Sequence, residues 1–311
     1  MPGPRALACP ASLKGVLAAD AAARALAEGF ARAGVECAEQ PVTDGGEGTV
    51  EALGADDRGH WDVHDAFGRP RTAVVGRRGT ALVVEAAEVL PFDADRLDVL
   101  AASSRGLGEL LARLEAPRLI VGLGGTANMD AGAGLLEALD RLPGPTTVLC
   151  DVQTMLYDAP RLFGPQKGAT PEQVAELEAR FRALRQLEPY ARLPGSGAAG
   201  GLGAALASLG AELVPGARTL LDLVGFDPGA FELVVTGEGR VDATTVEGKA
   251  PAEVVRRATA AGVPCVVFGG LVTEPLPGVE TLALSGDPSR AAADLVELGL
   301  RLGTRLLDAA R

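Results

Sequence analysis

The sequence predicts an α/β fold built on a mostly parallel sheet, and three observations support this prediction. Short apolar segments alternate with alanine-rich segments along most of the 311 residues, as expected of strands joined by crossover helices. Apolar residues make up 47% of the chain and aromatic residues only 4%, which is typical of helices packed on a parallel sheet. Glycine-rich loops follow the apolar segments, at the strand ends where such sheets bind ligands.

In the first part of the chain, two strand–helix units precede a change of pattern near residue 60. The first helix is predicted to end at Gly34, because glycine commonly follows the last helical residue. Beyond residue 60, shorter apolar segments are joined by turn sequences, a pattern typical of hairpins, so we expect a second domain to begin there. The predicted strands cover residues 6–10, 35–42, 60–66, 72–76 and 81–86, and the helices cover 17–33 and a short segment ending at 53.

The rest of the chain continues the alternation of strands and helices. Glycine and proline around residues 163–169 predict a loop, and residues 236–242 are predicted to be a second loop that leaves a buried strand. The glycine-rich stretch 194–203 is expected to open another alanine-rich helix. The predicted strands cover 118–121, 146–150, 231–235, 265–269 and 281–284, and the other helices cover 97–114, 131–139, 171–187, 250–261 and 289–309.

Composition and charge exclude several classes of function. No run of 18 apolar residues occurs, so we expect no membrane span, and the first residues lack an apolar leader, so we expect a cytoplasmic protein. The net charge of −12 argues against nucleic acid as a partner. The four cysteines form no Cys-x-x-Cys pair, and the two histidines, His60 and His64, lack a third ligand, so no zinc site is expected. The oligomeric state, a homodimer included, is left open.

The most informative segment is the glycine loop at residues 121–134, VGLGGTANMDAGAG. It joins an apolar strand pattern to a helix pattern, and backbone N–H groups at such a junction favour an anion. Gly124 and Gly125 allow the backbone to approach a ligand closely, while Asn128 and Asp130 supply polar groups. The same pattern also occurs as an ordinary strand-to-helix connection.

Lysine usage indicates a second feature of the site. Of the 29 basic residues only three are lysines, and each has a glycine neighbour: Lys14, Lys167 and Lys249. Because arginine carries nearly all the positive charge, a retained lysine is a candidate for a compact ammonium that contacts a phosphoryl group. The alternative is that these are three incidental surface lysines.

Carboxylates complete the predicted chemistry. Asp44 and Glu47 lie among glycines in TDGGEGT, where a carboxylate could bind Mg²⁺ or accept a hydroxyl proton, although solvated turns use the same residues. Loops with lysines and carboxylates, but without a nucleophile constellation, favour phosphoryl transfer. The G-x-G-x-x-G match at residues 195–200 follows no predicted strand, so it supports a nucleotide-dependent dehydrogenase only poorly.

Seven motifs together resemble the bacterial glycerate kinase family of type I, in order and spacing, from residue 6 to about 270. The resemblance implies ATP-dependent phosphorylation of D-glycerate, usually to 2-phosphoglycerate, with Mg²⁺. It also implies two α/β domains with the site in their cleft: a Rossmann-like domain from residues 1–60 and 225–311, and an inserted α/β domain from 61–224. The motifs are PASLKG, TDGGEGT, GLGGTANMDAGAG, CDV, FGPQKGA, GSGAAGGLGAA and TGEGRVDATTVEGKAP.

The residues and the resemblance together predict the site. Catalytic roles are expected for Lys14, Asp44, Asp130 and Lys167, with Asp44 or Asp130 orienting the acceptor hydroxyl. Asp44 and Asp151 are the expected Mg²⁺ ligands. The residues expected to contact substrate or nucleotide are Ser12, Gly45, Gly46, Glu47, Gly124, Gly125, Asn128, Gln166, Gly237, Glu238, Gly239, Asp242 and Lys249.

Several polar positions depart from the family pattern. Ala11 replaces an aspartate, Asn128 and Met129 stand where threonine and asparagine are usual, Thr154 follows the CDV motif in place of an asparagine, and Thr244 replaces a glutamine. In addition, Leu13 replaces a phenylalanine and Ala131 a glycine. These changes leave two alternatives open: a kinase for another small hydroxy acid, or a non-catalytic paralogue that binds a ligand.

Overall fold

The structure is a computed structural model, and it describes residues 3–55, 57–242, 245 and 249–310. Thr244, one of the departures named above, lies outside the described residues. The chain forms two compact units. We call Met1–Thr43 together with Leu220–Arg311 the split unit, and Asp44–Thr219 the middle unit.

The strands of the described residues are β1 (Arg5–Pro10), β2 (Glu36–Glu39), β3 (Asp57–His64), β4 (Pro70–Arg78), β5 (Ala81–Glu85), β6 (Arg118–Gly122), β7 (Thr146–Cys150), β8 (Glu212–Pro215), β9 (Leu233–Val241), β10 (Cys265–Val272) and β11 (Glu280–Ala283). The helices are α1 (Ala19–Ala33), α2 (Thr49–Ala52), α3 (Ala86–Val89), α4 (Arg105–Leu111), α5 (Ala133–Ala138), α6 (Ala159–Phe163), α7 (Pro171–Ala183), α8 (Ala198–Ser208), α9 (Gly216–Leu223), α10 (Ala250–Ala260) and α11 (Ala291–Ala309). The predicted α/β class is confirmed.

The split unit contains a five-stranded sheet in the order β11-β10-β9-β1-β2, with every pair parallel. β1 comes from the start of the chain and lies between β2 and β9, so segments from both chain ends build one sheet. Helices α1 and α11 pack on each other at backbone distance, because a Cβ on Gly29 would lie 2.1 Å from the Val296 carbonyl oxygen. Apolar side chains such as Phe30 and Phe268 fill the core between sheet and helices.

The middle unit contains a six-stranded sheet in the order β3-β4-β5-β6-β7-β8. The pairs β3–β4 and β4–β5 are antiparallel, which confirms the predicted hairpins, and the pairs from β5 to β8 are parallel. Its core contains Leu107 of α4, Leu135 of α5 and Val121 of β6. The parallel strands β5, β6 and β7 end at one edge of the sheet, and the predicted glycine loop leaves β6 there.

The junctions between the two units lie at residues 43 and 219, whereas the sequence placed them near 60 and 225. Residues 44–55 belong to the middle unit because they pack on its sheet. The N–H groups of Gly48 and Val50 donate hydrogen bonds to Glu85 at the end of β5. A Cβ on Gly76 of β4 would lie 2.7 Å from Val50 and 2.8 Å from Ala55.

Several predicted elements differ in extent from the observed ones, and three of these differences have a clear physical reason. The helix expected over 97–114 begins only at Arg105, because the Ser103 amide is bonded to the Ala66 carbonyl instead of to a helical turn. The prediction that 236–242 form a loop is wrong, since β9 stays paired with β10 as far as Val241. Helix α7 ends at Ala183 and a 3-10 segment follows, which contains Pro189. Within the described residues, no helix has the length and apolar character needed to cross a membrane.

Candidate functional site

Two glycine loops of the middle unit contact each other directly through their backbones. The Gly124 amide donates to the Gly45 carbonyl oxygen at 3.1 Å, and a Cβ on Gly124 would lie 2.5 Å from the Gly46 Cα. Only glycines allow this approach. Because its N–H is already bonded to Gly45, Gly124 supports the contact between the loops, and its amide is not available to a phosphate.

Two predicted carboxylates lie beside this glycine contact. Asp44 Oδ1 lies 3.4 Å from the position that a Cβ on Gly46 would take, and Asp151 Oδ2 lies 3.5 Å from that of Gly124. Asp44 is half-buried, and its carboxylate makes no hydrogen bond or ion pair with a described residue. The structure therefore brings together the two residues predicted to bind Mg²⁺.

Lys167 lies inside the middle unit and is not a surface lysine. Its side chain is only 7% exposed, and its Nζ donates to the Asn128 carbonyl oxygen at 2.8 Å. Burial lowers the pKa of Lys167 to about 8, while the charges of Asp151 and Asp130 act in the opposite direction. The residue sits in a short 3-10 turn closed by Gly168, whose φ of 85° is in the left-handed region.

Asp130 holds the loop that follows β6. Its carboxylate accepts hydrogen bonds from the Ser104 amide and hydroxyl at 2.8 Å, and from the Gly132 and Gly134 amides at 3.1 Å. The Asn128 side-chain amide adds a further bond at 3.1 Å. These donors fix the starts of α4 and α5. A direct catalytic role for Asp130 stays a prediction, and its observed contacts are those of a positioning residue.

Asn128 presents an acceptor that no described residue uses. Its Nδ2 donates to Asp130 and, at 2.9 Å, to the Ala199 carbonyl oxygen, which fixes the orientation of the amide. Its Oδ1 is buried and has no hydrogen-bond partner among the described residues. Thr126 Oγ1, in the same loop, is buried and unpartnered in the same way.

The backbone around this loop is strained at two alanines. Ala131 and Ala199 have φ values of 53° and 50°, a region that costs non-glycine residues free energy. The Ala131 amide donates to the Gly200 carbonyl oxygen at 2.9 Å, so the loop and the residues that open α8 hold each other. The G-x-G-x-x-G stretch therefore supports the glycine loop, and a 3-10 segment, not a strand, comes before it.

The split unit brings the remaining predicted residues to the ends of β1 and β9. The Ala11 amide donates to the Gly237 carbonyl oxygen at 2.8 Å, and a Cβ on Gly239 would lie 3.2 Å from the Leu13 Cα. The loop that carries Ser12 and Lys14 therefore lies against Gly239. Lys14 is exposed and Ser12 is half-buried.

Charged pairs surround the end of β9. Lys249 Nζ lies 3.4 Å from Glu238 Oε2, and Asp242 Oδ2 lies 3.2 Å from Arg240 Nε. Gly237 belongs to the strand itself, where a Cβ would lie 2.2 Å from the Phe268 carbonyl oxygen. Residues 237–239, predicted to form a loop around a phosphate, therefore lie in strand β9 instead.

The remaining predicted residues are exposed, whereas one of the departures from the family pattern is buried. Glu47, Gly125 and Gln166 are exposed on the loops of the middle unit. Met129 is fully buried in a core cluster with Leu156, so its apolar side chain serves packing. A cavity elsewhere on the middle unit, lined by Phe67, Arg96 and other residues, contains no predicted site residue.

Two polar residues that shape the site, Ser104 and Glu85, were not predicted from the sequence. Ser104 bonds Asp130, and its Oγ also accepts a hydrogen bond from the Leu135 amide at 2.9 Å. Glu85 ends β5 and is 4% exposed, and burial raises its pKa to about 7. A charged residue that closes an otherwise apolar strand was the available signal for Glu85, whereas nothing in the pattern around Ser104 indicated its role.

Comparisons with known proteins agree on one family. A model of the glycerate kinase family matches residues 6–142 and 144–286. The chain is 34% identical to the glycerate 2-kinase of Escherichia coli (strain K12), covering 85% of this chain and 84% of that protein. It is also 34% identical to the glycerate kinase of Bacillus subtilis (strain 168), with the same coverage.

A solved structure agrees with the sequence comparisons. The crystal structure assigned to glycerate kinase 2 of Salmonella typhimurium LT2 superposes with a TM-score of 0.79 at 27% identity. The match covers 99% of this chain and 100% of that one.

Proposed function

Because the chain belongs to the glycerate kinase family, we propose that it transfers the terminal phosphoryl group of ATP to D-glycerate and forms 2-phosphoglycerate. The chain is a kinase, and the donor, the stereochemistry of the acceptor and the position of the new phosphate are the proposed parts. The name of the Escherichia coli relative, glycerate 2-kinase, supports the position of the phosphate. The four free cysteines support a cytoplasmic site for the reaction, since thiols persist in a reducing compartment.

The observation that carries the proposal is the buried ammonium of Lys167, which interacts with the charge of Asp151, a carboxylate that lies beside the glycine contact. Phosphoryl transfer requires fixed positive charge where the phosphoryl oxygens gather, with little other chemistry from the protein. A buried ammonium acts more strongly than an exposed one because water does not screen it. Lys167 is therefore the proposed electrostatic catalyst.

Asp44 is the proposed group that orients the acceptor hydroxyl and takes its proton. It is half-buried beside the glycine contact, and its oxygens are not bonded to other described residues. Lys14 and Lys249 of the split unit are proposed to neutralise phosphate or carboxylate charge. These two lysines are more exposed than Lys167, so they can adjust to a ligand.

The carboxylates present fit a magnesium ion. Mg²⁺ is usually held by one or two carboxylates, with substrate phosphates and water as its other ligands. Asp44 and Asp151 supply two carboxylates beside one backbone contact, and no group of three or more potential ligands occurs in the described ranges. When bound, Mg²⁺ would neutralise charge on the phosphates.

A different acceptor is the second candidate function, and Asn128 is the observation that favours it. Its unpartnered Oδ1 stands where the family pattern has a threonine. A buried acceptor that lacks a donor selects for a ligand hydroxyl or a water molecule. Another small hydroxy acid with a suitably placed hydroxyl would satisfy it.

The test is an ADP-release assay with ATP, Mg²⁺ and D-glycerate. NMR of the product, through the coupling to ³¹P, then shows which oxygen carries the phosphate. Lys167→Met is compared with Arg161→Met, which removes a positive charge from a side chain that is 71% exposed. We expect turnover in the wild type and in Arg161→Met, and its loss in Lys167→Met. Turnover with another hydroxy acid but not with glycerate would support the second candidate. Equal activity in both variants would count against the role of Lys167.

A further inference from the structure

Glu85 is a buried carboxylate at the edge of the sheet where the glycine loops meet. It is the last residue of β5 and pairs in register with Gly122, the last residue of β6. Its Oε1 accepts a hydrogen bond from the Val50 amide at 2.7 Å, and its Oε2 accepts one from the Gly48 amide at 3.1 Å. Both oxygens therefore hold the backbone of one short segment.

That segment continues directly into the loop that carries Asp44. The Thr49 hydroxyl donates to the Gly46 carbonyl oxygen at 2.7 Å, and the Gly45 carbonyl oxygen accepts from Gly124 at 3.1 Å. The loop is thus fixed at one end by Glu85 and at the other by the glycine contact. Loss of the first anchor would leave the loop held by the glycine contact and by the chain that precedes Asp44, where the Val42 amide donates to the Pro10 carbonyl oxygen.

Among the described residues, none that acts on the charge of Glu85 is a positive counter-charge. The charged groups that face it are Glu51 of α2 and Glu88 of α3, and Glu51 is paired with Arg58 at 2.9 Å. On the neighbouring strands, Arg77 and Arg78 of β4 and Arg118 of β6 pair beside Ala81 and Leu82, at the opposite end of β5. The third arginine of β4, Arg71, pairs with Val63 of β3, and Glu85 forms no ion pair with it. Within the described ranges Glu85 makes no ion pair, so its charge rests on the two amide hydrogen bonds. Burying a carboxylate in this way is costly, which indicates a purpose beyond packing.

We propose that Glu85 is a positioning residue of the kinase reaction, whose ionised carboxylate holds residues 48–50 and so fixes Asp44 for phosphoryl transfer. This inference rests on the proposed function. An ionised carboxylate accepts both amide bonds fully, because charged acceptors form the stronger hydrogen bonds. A neutral side chain holds the segment less firmly. Burial raises the pKa of Glu85 to about 7. The two amide hydrogen bonds should therefore weaken as the pH falls through about 7, which is a pH range in which activity can be measured.

The experiment compares Glu85→Gln with the matched variant Glu88→Gln, which neutralises a neighbouring carboxylate that bonds only the Val74 amide in the described structure. We measure kcat and KM between pH 5.5 and 8.5, and amide hydrogen exchange at Gly48 and Val50.

For Glu85→Gln we expect about a tenfold lower kcat at pH 8 with KM changed far less, and about tenfold faster exchange at both amides. The wild type should lose kcat as the pH falls through about 7, and Glu85→Gln should lack this limb. Glu88→Gln should keep the wild-type kcat and amide exchange at pH 8, and its low-pH limb should move to lower pH because one negative charge that raises the pKa of Glu85 is gone.

Two results would overturn the proposal: wild-type kcat and pH profile in Glu85→Gln, or unchanged exchange at Gly48 and Val50. If Glu85→Gln does not fold, the wild type alone provides the test. The protection factors of both amides should be lower at pH 6 than at pH 8, and equal protection would refute the role of Glu85. Absence of wild-type turnover on glycerate would instead defeat the proposed function, while the exchange data would still decide whether Glu85 holds the loop.

Discussion

The two units hold their lysines in opposite ways. In the middle unit, Lys167 is 7% exposed and its ammonium is bonded to a backbone carbonyl. In the split unit, Lys14 is exposed and Lys249, with 30% of its side chain exposed, pairs with Glu238. A buried charge is fixed and unscreened, whereas exposed charges adjust to a ligand and are weakened by water and salt. We infer that the charge of Lys167 is preorganised, whereas the charges of Lys14 and Lys249 can adjust to a ligand.

The sharpest test of this comparison is the kinetic effect of removing each lysine. Lys167→Met should lower kcat about 10³-fold, because it removes a fixed charge from the transition state. Lys14→Met should act mainly on KM, by about tenfold, because an exposed ammonium contributes to binding before and during the reaction alike. Steady-state kinetics in ATP and in glycerate measure both. A larger kcat loss in Lys14→Met than in Lys167→Met would reverse the assignment.

Removal of a charged side chain should also lower the free energy of unfolding more in the middle unit than in the split unit. Asp130→Ala should lower the free energy of unfolding by about 3 to 4 kcal/mol, because it leaves several buried donors without an acceptor. Lys249→Met should lower it by less than about 1 kcal/mol, since the pair with Glu238 is partly exposed. Denaturant unfolding of both variants gives the two values. Similar losses would mean that the network around Asp130 is less rigid than its hydrogen bonds indicate.

Lys167 also makes stability depend on pH in a specific direction. Its folded pKa of about 8 lies below the unfolded value of about 10.4, so between these values the unfolded chain binds more protons. Stability should therefore rise with pH over this window, by up to about 3 kcal/mol from this residue alone. In the same window kcat should fall, because the ammonium loses its proton. The difference between wild type and Lys167→Met in unfolding at pH 7.5 and pH 10 isolates the effect, and a wild type that loses stability relative to the variant would contradict it.

The sequence predicted the β6 strand and the glycine loop after it, because these depend on local pattern. Composition alone singled out Lys167, whose role in the reaction stays a prediction. The sequence did not reveal that Asp130 holds five hydrogen bonds or that Glu85 anchors a loop about 40 residues earlier in the chain, because such contacts arise only from the packing of distant segments. The stretch 236–242 shows the opposite failure. Its glycines favoured a loop, but pairing with β10 kept it in the sheet as far as Val241.

The smallest expected effect concerns the glycines themselves. A Cβ on Gly124 would lie 2.5 Å from the Gly46 Cα, whereas a Cβ on Gly239 would lie 3.2 Å from the Leu13 Cα. Neither neighbour is a flexible side chain, but only the first distance requires the two loops to separate. Gly124→Ala should therefore cost about 2 kcal/mol of stability, and Gly239→Ala about 1 kcal/mol or less.

The activities of these two variants extend the same comparison. Separation of the loops would displace Asp44 and Asp151, which flank the contact, so Gly124→Ala should also lower kcat at saturating substrate. Gly239→Ala should change KM more than kcat, because the loop that carries Lys14 can shift by a few tenths of an ångström. Thermal unfolding and steady-state kinetics on the folded variants measure these effects. If Gly239→Ala proved the more damaging to kcat, the inference that the contact between Gly124 and Gly46 holds the fixed geometry would be wrong.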